Sequence, residues 1–167
     1  MTEDTNLALG LAAAGLPLIA VHDAGSGPAP TLNRLVPGLL GCGNPLFRLS
    51  LVPLLLARPE DSADLVKPPC NALLAHLYTA AVCLQQLWKT RLGLLGRRFE
   101  LPDRFSHGLG LPNPKTGYGE SCFSEILDRL ENGRAGARIR GADKMLAKLV
   151  HETFDLLARE ALHAPAC

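Results

Sequence analysis

Two stretches of the 167-residue chain gather the residue types from which chemistry is built. Between 103 and 120 stand Asp103, Arg104, His107 and Glu120, with Tyr118 among them. Two carboxylates, a permanent cation and a side chain that titrates near neutrality are the parts of a general acid–base pocket. Between 134 and 148 stand Arg134, Arg138, Arg140, Lys144 and Lys148, with Asp143 as the one acid. Glycines 136 and 141 let the backbone approach a phosphate closely, and arginine grips phosphate with a two-pronged fork. This second stretch is therefore the expected contact with a nucleic-acid backbone. No aromatic residue interleaves with it, so base stacking is not expected and sequence preference should be slight.

The remaining motifs are incomplete. His22-Asp23 resembles the His-Asp pair of metal-dependent phosphohydrolases, but no further ligand stands at a fixed spacing from it. Lys115-Thr116-Gly117 matches in letters a triplet of penicillin-recognising serine enzymes, whose S-x-x-K nucleophile occurs nowhere in this sequence. Gly117-Tyr118-Gly119 could offer backbone N–H groups to an anion, yet Glu120 follows and puts its own negative charge at that helix start. Neither Ser26 nor Ser121-Cys122 lies in a nucleophile signature. His76 and Cys83 are seven residues apart on one helix, about 10 Å along the axis, too far for proton transfer or shared ligation. No cofactor and no metal are expected.

Cysteine usage points to a compartment. Cys42, Cys70, Cys83, Cys122 and Cys167 are odd in number, widely spaced and without a C-x-x-C pair, so reduced thiols and the cytoplasm are expected. The apolar run from Leu7 to Val21 follows Glu3 and Asp4, and the first cation is Arg34, so its flank has the wrong sign for a secretory signal. The most apolar run, Leu46 to Ala57, holds Arg48 and Pro53 and is about half the ~20 residues a membrane span needs. No membrane is expected.

The net charge of +1 excludes a strongly acidic or basic protein. It conceals an asymmetry: residues 1–66 carry a net −3 and residues 89–148 a net +5.

The elements that position these residues are helices. The chain has 34 leucines against 6 valines and 3 isoleucines. Leucine loses little freedom in a helix, whereas sheets favour β-branched and aromatic residues. Asp4 to Ala14 reads as a short helix stopped by Gly15 and Pro17, with an extended stretch after it. Thr31 is positioned to cap a helix through Leu40 that Pro37 should shorten or bend. Asn44-Pro45 opens another toward Arg58, kinked or broken by Pro53. Pro68-Pro69 opens the longest pattern, in which Leu73, Leu77, Ala80, Leu84 and Leu87 form a buried stripe. On another face His76, Thr79, Cys83, Gln86 and Thr90 follow the same steps, which predicts an amphipathic spine ending at Gly93.

Residues 97–119 hold many glycines and prolines but also Phe99, Leu101, Phe105 and Tyr118, so an ordered loop packed through its aromatics is expected. Phe123, Ile126, Leu127 and Leu130 make a helical face stopped at Asn132-Gly133. The closing helix, about 142 to 162, turns Leu146, Leu149, Val150, Phe154 and Leu157 inward, should dock on the spine, and pairs Lys148 with Glu152 and Asp155 with Arg159 on its wet side.

The sequence thus predicts an all-α fold in one domain over 1–167. Five or six helices surround a leucine-rich helix at about 70–93, with an ordered loop at 97–119 and a mobile Gly/Pro segment at 24–30. No family is recognised in these residues. The absence of a complete catalytic constellation favours a non-catalytic helical subunit of a larger assembly, touching RNA or DNA through the 134–148 cations. A small enzyme working in the 103–120 loop is one alternative. A module that binds a protein partner or a second copy of itself, without nucleic acid, is the other.

Overall fold

The computed structural model describes residues 3–19, 31–66 and 71–163, and among these it is all-α with no strand. Helices α1 (Glu3–Ala13), α2 (Leu32–Gly41), α3 (Pro45–Leu49), α4 (Leu51–Ala57) and α5 (Ser62–Leu65) form the first half, with a 3₁₀ turn at Pro59–Asp61. Helices α6 (Ala72–Leu87), α7 (Lys89–Leu94), α8 (Gly119–Asn132) and α9 (Ala142–His163) form the second. Five of them have ten residues or more. No described helix is long and apolar enough to cross a membrane. The segment 24–30 and the pair His22-Asp23 lie outside the described residues.

Helix α6 is the spine, and it differs from the expected amphipathic rod. Thirteen consecutive residues, Leu73 to Gln85, are buried, so the face bearing His76, Thr79 and Cys83 is as dry as the leucine face. Neighbours on every side remove it from water: α8 and α4 pack most extensively on it. Asn71 caps its start by accepting the Leu74 N–H at 2.7 Å. The helix leaves α geometry at Trp88 (φ −111°, ψ 23°) and resumes as α7, so the continuous helix expected to residue 93 is two. The turn sets the Trp88 ring 5.7 Å from Phe154 of α9.

Asn44 Oδ1 accepts the Leu46 N–H at 3.0 Å, as the Asn-Pro pair predicts. The segment after it divides at Ser50, whose hydroxyl donates to the Leu46 carbonyl at 2.6 Å. Pro53 cannot return an N–H to Leu49, so the break falls one turn before the proline. Helix α4 is buried along its whole length. Pro37, by contrast, is accommodated inside α2, and Thr31 makes no side-chain cap bond.

Helix α9 buries the predicted Leu146, Leu149, Val150, Phe154 and Leu157, together with Thr153. It packs chiefly on α4 and α3 rather than on the spine. On its exposed side His151 Nε2 lies 3.5 Å from Asp155 and Glu160 pairs with Arg97 at 3.1 Å, in place of the predicted Lys–Glu and Asp–Arg pairs. The 97–119 loop is packed through Leu101, Ser106 and Leu111, which are buried, and through Phe105, which packs against the core. Phe99 and Tyr118 are 49% and 57% exposed, so those two aromatics do not anchor it.

The connector from α8 to α9 is a packed turn, not a flexible linker. Gly133 ends α8 in the left-handed region, Ala135 and Ile139 are buried, and the Ile139 N–H returns to the Leu130 carbonyl at 2.8 Å. Gly136 adopts φ +86°, and a Cβ there would lie 2.9 Å from the Leu73 backbone nitrogen and 3.0 Å from Ala72 Cβ. The connector is thereby seated on the first turn of α6. A Gly136→Ala variant is expected to lose about 1–2 kcal/mol to left-handed strain and about 1–3 kcal/mol more to the clash. Gly117→Ala, with φ +89° and open space around it, should show only the strain. Urea denaturation compares the two, and equal losses would show that the connector does not sit on α6.

Candidate functional site

The loop candidates are held apart by structural work. Asp103 accepts the Ser106 N–H at 3.2 Å on Oδ1 and the Ser106 hydroxyl on Oδ2, which is a turn cap. Arg104 donates to the Val66 carbonyl at 3.2 Å and lies 5.5 Å from the centroid of the Tyr78 ring. Tyr78 donates its hydroxyl to the Pro102 carbonyl at 2.7 Å, and its ring meets Phe105 edge-on at 5.4 Å. Burial holds the Tyr78 phenol above its usual pKa. Gln85 completes the clasp, donating to Phe99 O and accepting from Leu101 N, both at 2.7 Å. Asp103 therefore caps a turn within the loop and Arg104 ties the loop to Val66, while Tyr78 and Gln85 fasten it to α6. His107 is exposed, and Glu120 lines a separate groove that none of the other three touches. The four residues do not form one pocket.

A second polar cluster, absent from the sequence reading, surrounds Arg129 of α8. Its guanidinium donates to the Leu109 carbonyl at 2.8 Å, lies 3.3 Å from His76 Nε2, and pairs with Glu125 at 3.1 Å. His76 Nδ1 stands 2.7 Å from the Ala72 carbonyl, so the proton belongs on Nδ1 and Nε2 accepts from Arg129. Burial lowers the His76 pKa, and the arginine charge adds to this against the backbone bond. Next to it Cys83 and Cys122 are both buried. The Cys83 thiol hydrogen-bonds to Cys122 and burial adds to its penalty, so its pKa is raised far above the usual range, while Cys122, receiving that bond, is lowered. Cys42 is also buried and donates to Asp4 at 3.3 Å. Cys70 and Cys167 lie outside the described residues. No metal-ligating cluster occurs among the described residues.

The basic segment is exposed at all five cations, but it is not uniform. Arg134 donates to Asn132 at 3.1 Å and lies 3.9 Å from Glu125; Arg138 donates to the Glu131 carbonyl at 3.1 Å. The α8 carboxylate that reaches Arg134 is nine residues away in sequence, where a linear reading does not look. The side chains of Arg140, Lys144 and Lys148 have no hydrogen bond or ion pair among the described residues.

The feature with the clearest binding geometry is a groove of about 530 Å³ between α8 and α9, ended by the last turn of α6 and by α7. Leu87, Trp88, Phe123, Leu127, Ala147 and Val150 supply its apolar lining. Trp88 and Leu87 are 43% and 42% exposed there. The Arg91 guanidinium lies 4.2 Å from the Phe154 ring centroid and 5.8 Å from that of Trp88. Glu120, Asp143 and His151 complete the rim. One sequence signal pointed to it: of the α8 face Phe123, Ile126, Leu127 and Leu130, the core buries only Ile126 and Leu130, leaving the other two over.

The His76 geometry makes stability pH-dependent in a definite direction. Its folded pKa lies below the ordinary 6.5, so between the two values the unfolded chain binds the extra proton. Stability is unaffected by His76 above 6.5 and falls on acidification, by at most about 1.4 kcal/mol per pH unit, until the folded pKa is passed. The difference in unfolding free energy between pH 7.5 and 5.5 should shrink in His76→Gln; an unchanged difference would contradict the buried neutral imidazole. No protein-family model, curated protein or solved structure matches the chain, so the functional reading rests on this geometry.

Proposed function

We propose that the protein is a non-catalytic helical subunit that joins a larger assembly by taking a helix of a partner protein into the α6–α8–α9 groove. The observation that supports this most directly is the groove itself, an apolar trough with Trp88 and Leu87 half-exposed within it, whereas the other exposed large apolar residues among the described ones, Leu94, Phe99, Tyr118 and Leu162, lie outside its lining. Contiguous exposed apolar surface rimmed by polar groups characterises association sites. A helix-lined trough accepts an amphipathic helix through anchors at i, i+3, i+4 and i+7. The enzyme reading loses support because Asp103 and Arg104 hold the loop in place and Glu120 stands elsewhere. A reducing, cytoplasmic setting suits the hydrogen-bonded thiols Cys83 and Cys122.

A second reading keeps the contact with RNA or DNA, favoured by the exposed and unpaired Arg140, Lys144 and Lys148. It is narrower than the sequence suggested, since Arg134 and Arg138 already have partners. Replacing Arg140, Lys144 and Lys148 by glutamine should reduce the salt slope of binding by about two to three units if each neutralises one phosphate. No binding at low salt removes this reading.

The docking reading is tested at Ala147, an exposed groove residue. A photo-reactive amino acid at 147, in cells that produce the protein, should give a discrete cross-linked protein band. The same group at Glu160, exposed and outside the groove lining, should not. Absence of a band at 147, or equal bands at both positions, would contradict docking in the groove.

A further inference from the structure

We infer that the helix received by the groove presents a carboxylate to Arg91 and is acidic along the flank facing α9; this rests on the docking reading above. Arg91 is exposed, and its side chain makes no ion pair or hydrogen bond among the described residues. Its guanidinium is nonetheless placed, 4.2 Å from the Phe154 centroid at the end of the groove. A guanidinium set over a ring face keeps its N–H donors in its own plane, directed outward, the arrangement that pairs a carboxylate with two parallel bonds. Ordering a flexible cation beforehand removes much of the entropy cost of pairing it later.

The groove's own acids do not cancel this. Glu120 and Asp143 lie in the first turns of α8 and α9, helices of 14 and 22 residues, where the helix dipole compensates each negative charge. His151 is engaged with Asp155 at 3.5 Å. Lys144 and Lys148 each follow a groove residue, Asp143 and Ala147, by one position and are exposed. That register puts two unpaired cations on the shoulder of α9 beside the groove.

The occupant's form follows from the groove's span. Its α9 wall runs from Asp143 to Phe154, about 16 Å at 1.5 Å per residue, or three helical turns. A second copy of this chain fits less well. A two-fold contact must be self-complementary, and a trough set against the same trough encloses a void instead of filling it.

The test is a displayed library of peptides about fifteen residues long, with leucine fixed at i, i+3, i+4 and i+7 and the other positions randomised. It is selected on the full chain and counter-selected on Ala147→Arg, whose fold is checked by circular dichroism. The expected winners carry Asp or Glu at one recurrent position and along one flank. Amidating that recurrent acid should weaken binding about tenfold, and Arg91→Gln should weaken it similarly. The two changes together should cost little more than either alone, because they remove the same contact. Arg91→Lys should restore part of the affinity. Winners with neutral or basic flanks, or effects that simply multiply, overturn the inference and leave the docking reading standing. If selection yields no peptide that Ala147→Arg excludes, the docking reading itself is overturned.

Discussion

The removal of α6 from water on all sides between Leu73 and Gln85 is the constraint on which the rest of the structure depends. A buried polar group without a partner costs about 1–3 kcal/mol, and α6 carries His76, Tyr78, Thr79 and Gln85 within its buried stretch. Thr79 satisfies itself on the Ala75 carbonyl at 2.7 Å. The other three reach outward, Tyr78 to Pro102, Gln85 to Phe99 and Leu101, and His76 to Arg129, which in turn holds Leu109. The segment 97–118 has no helix or strand to satisfy its backbone, and these side chains supply the missing partners. Loop order and spine burial are thus one interaction seen from two sides.

That reciprocity explains where the sequence was legible. Leucine excess, the Asn44-Pro45 cap, the Gly133 stop and the inward face of α9 are local signals, each decided within a few residues, and each appears in the structure. The dry polar face of α6 is not local. His76, Thr79 and Cys83 recur at helical spacing and look like a solvated stripe, because nothing within the helix reveals that Arg129, 53 residues later, will cover one of them. The same limit governs the candidate sites. Asp103 and Arg104 have the composition of an active site, and only the fold shows them committed to Ser106 and Val66. Arg134 reads as a free cation until α8 brings Glu125 to it.

The groove follows from how α9 is placed. Its buried face packs on α4 and α3, so it stands off from the apolar arc of α8 and leaves Phe123 and Leu127 half-covered. The interruption at Trp88 then turns an indole into the open end, where it meets Phe154 and Arg91. A continuous spine helix would have carried residue 88 along the axis instead. The binding geometry is therefore a by-product of packing choices made for the core, which is why no compact motif announces it.

The central claim is that the groove is open in the isolated chain, and the chain's single tryptophan, Trp88, reports on it. Acrylamide quenching of Trp88 emission, at a concentration where sedimentation shows a monomer, measures that openness directly. An open groove predicts quenching at a substantial fraction of the rate for a free indole, with emission between the buried and fully solvated limits. A monomer whose Trp88 resists quenching and emits as a buried indole would show that the groove is closed, and would contradict the account.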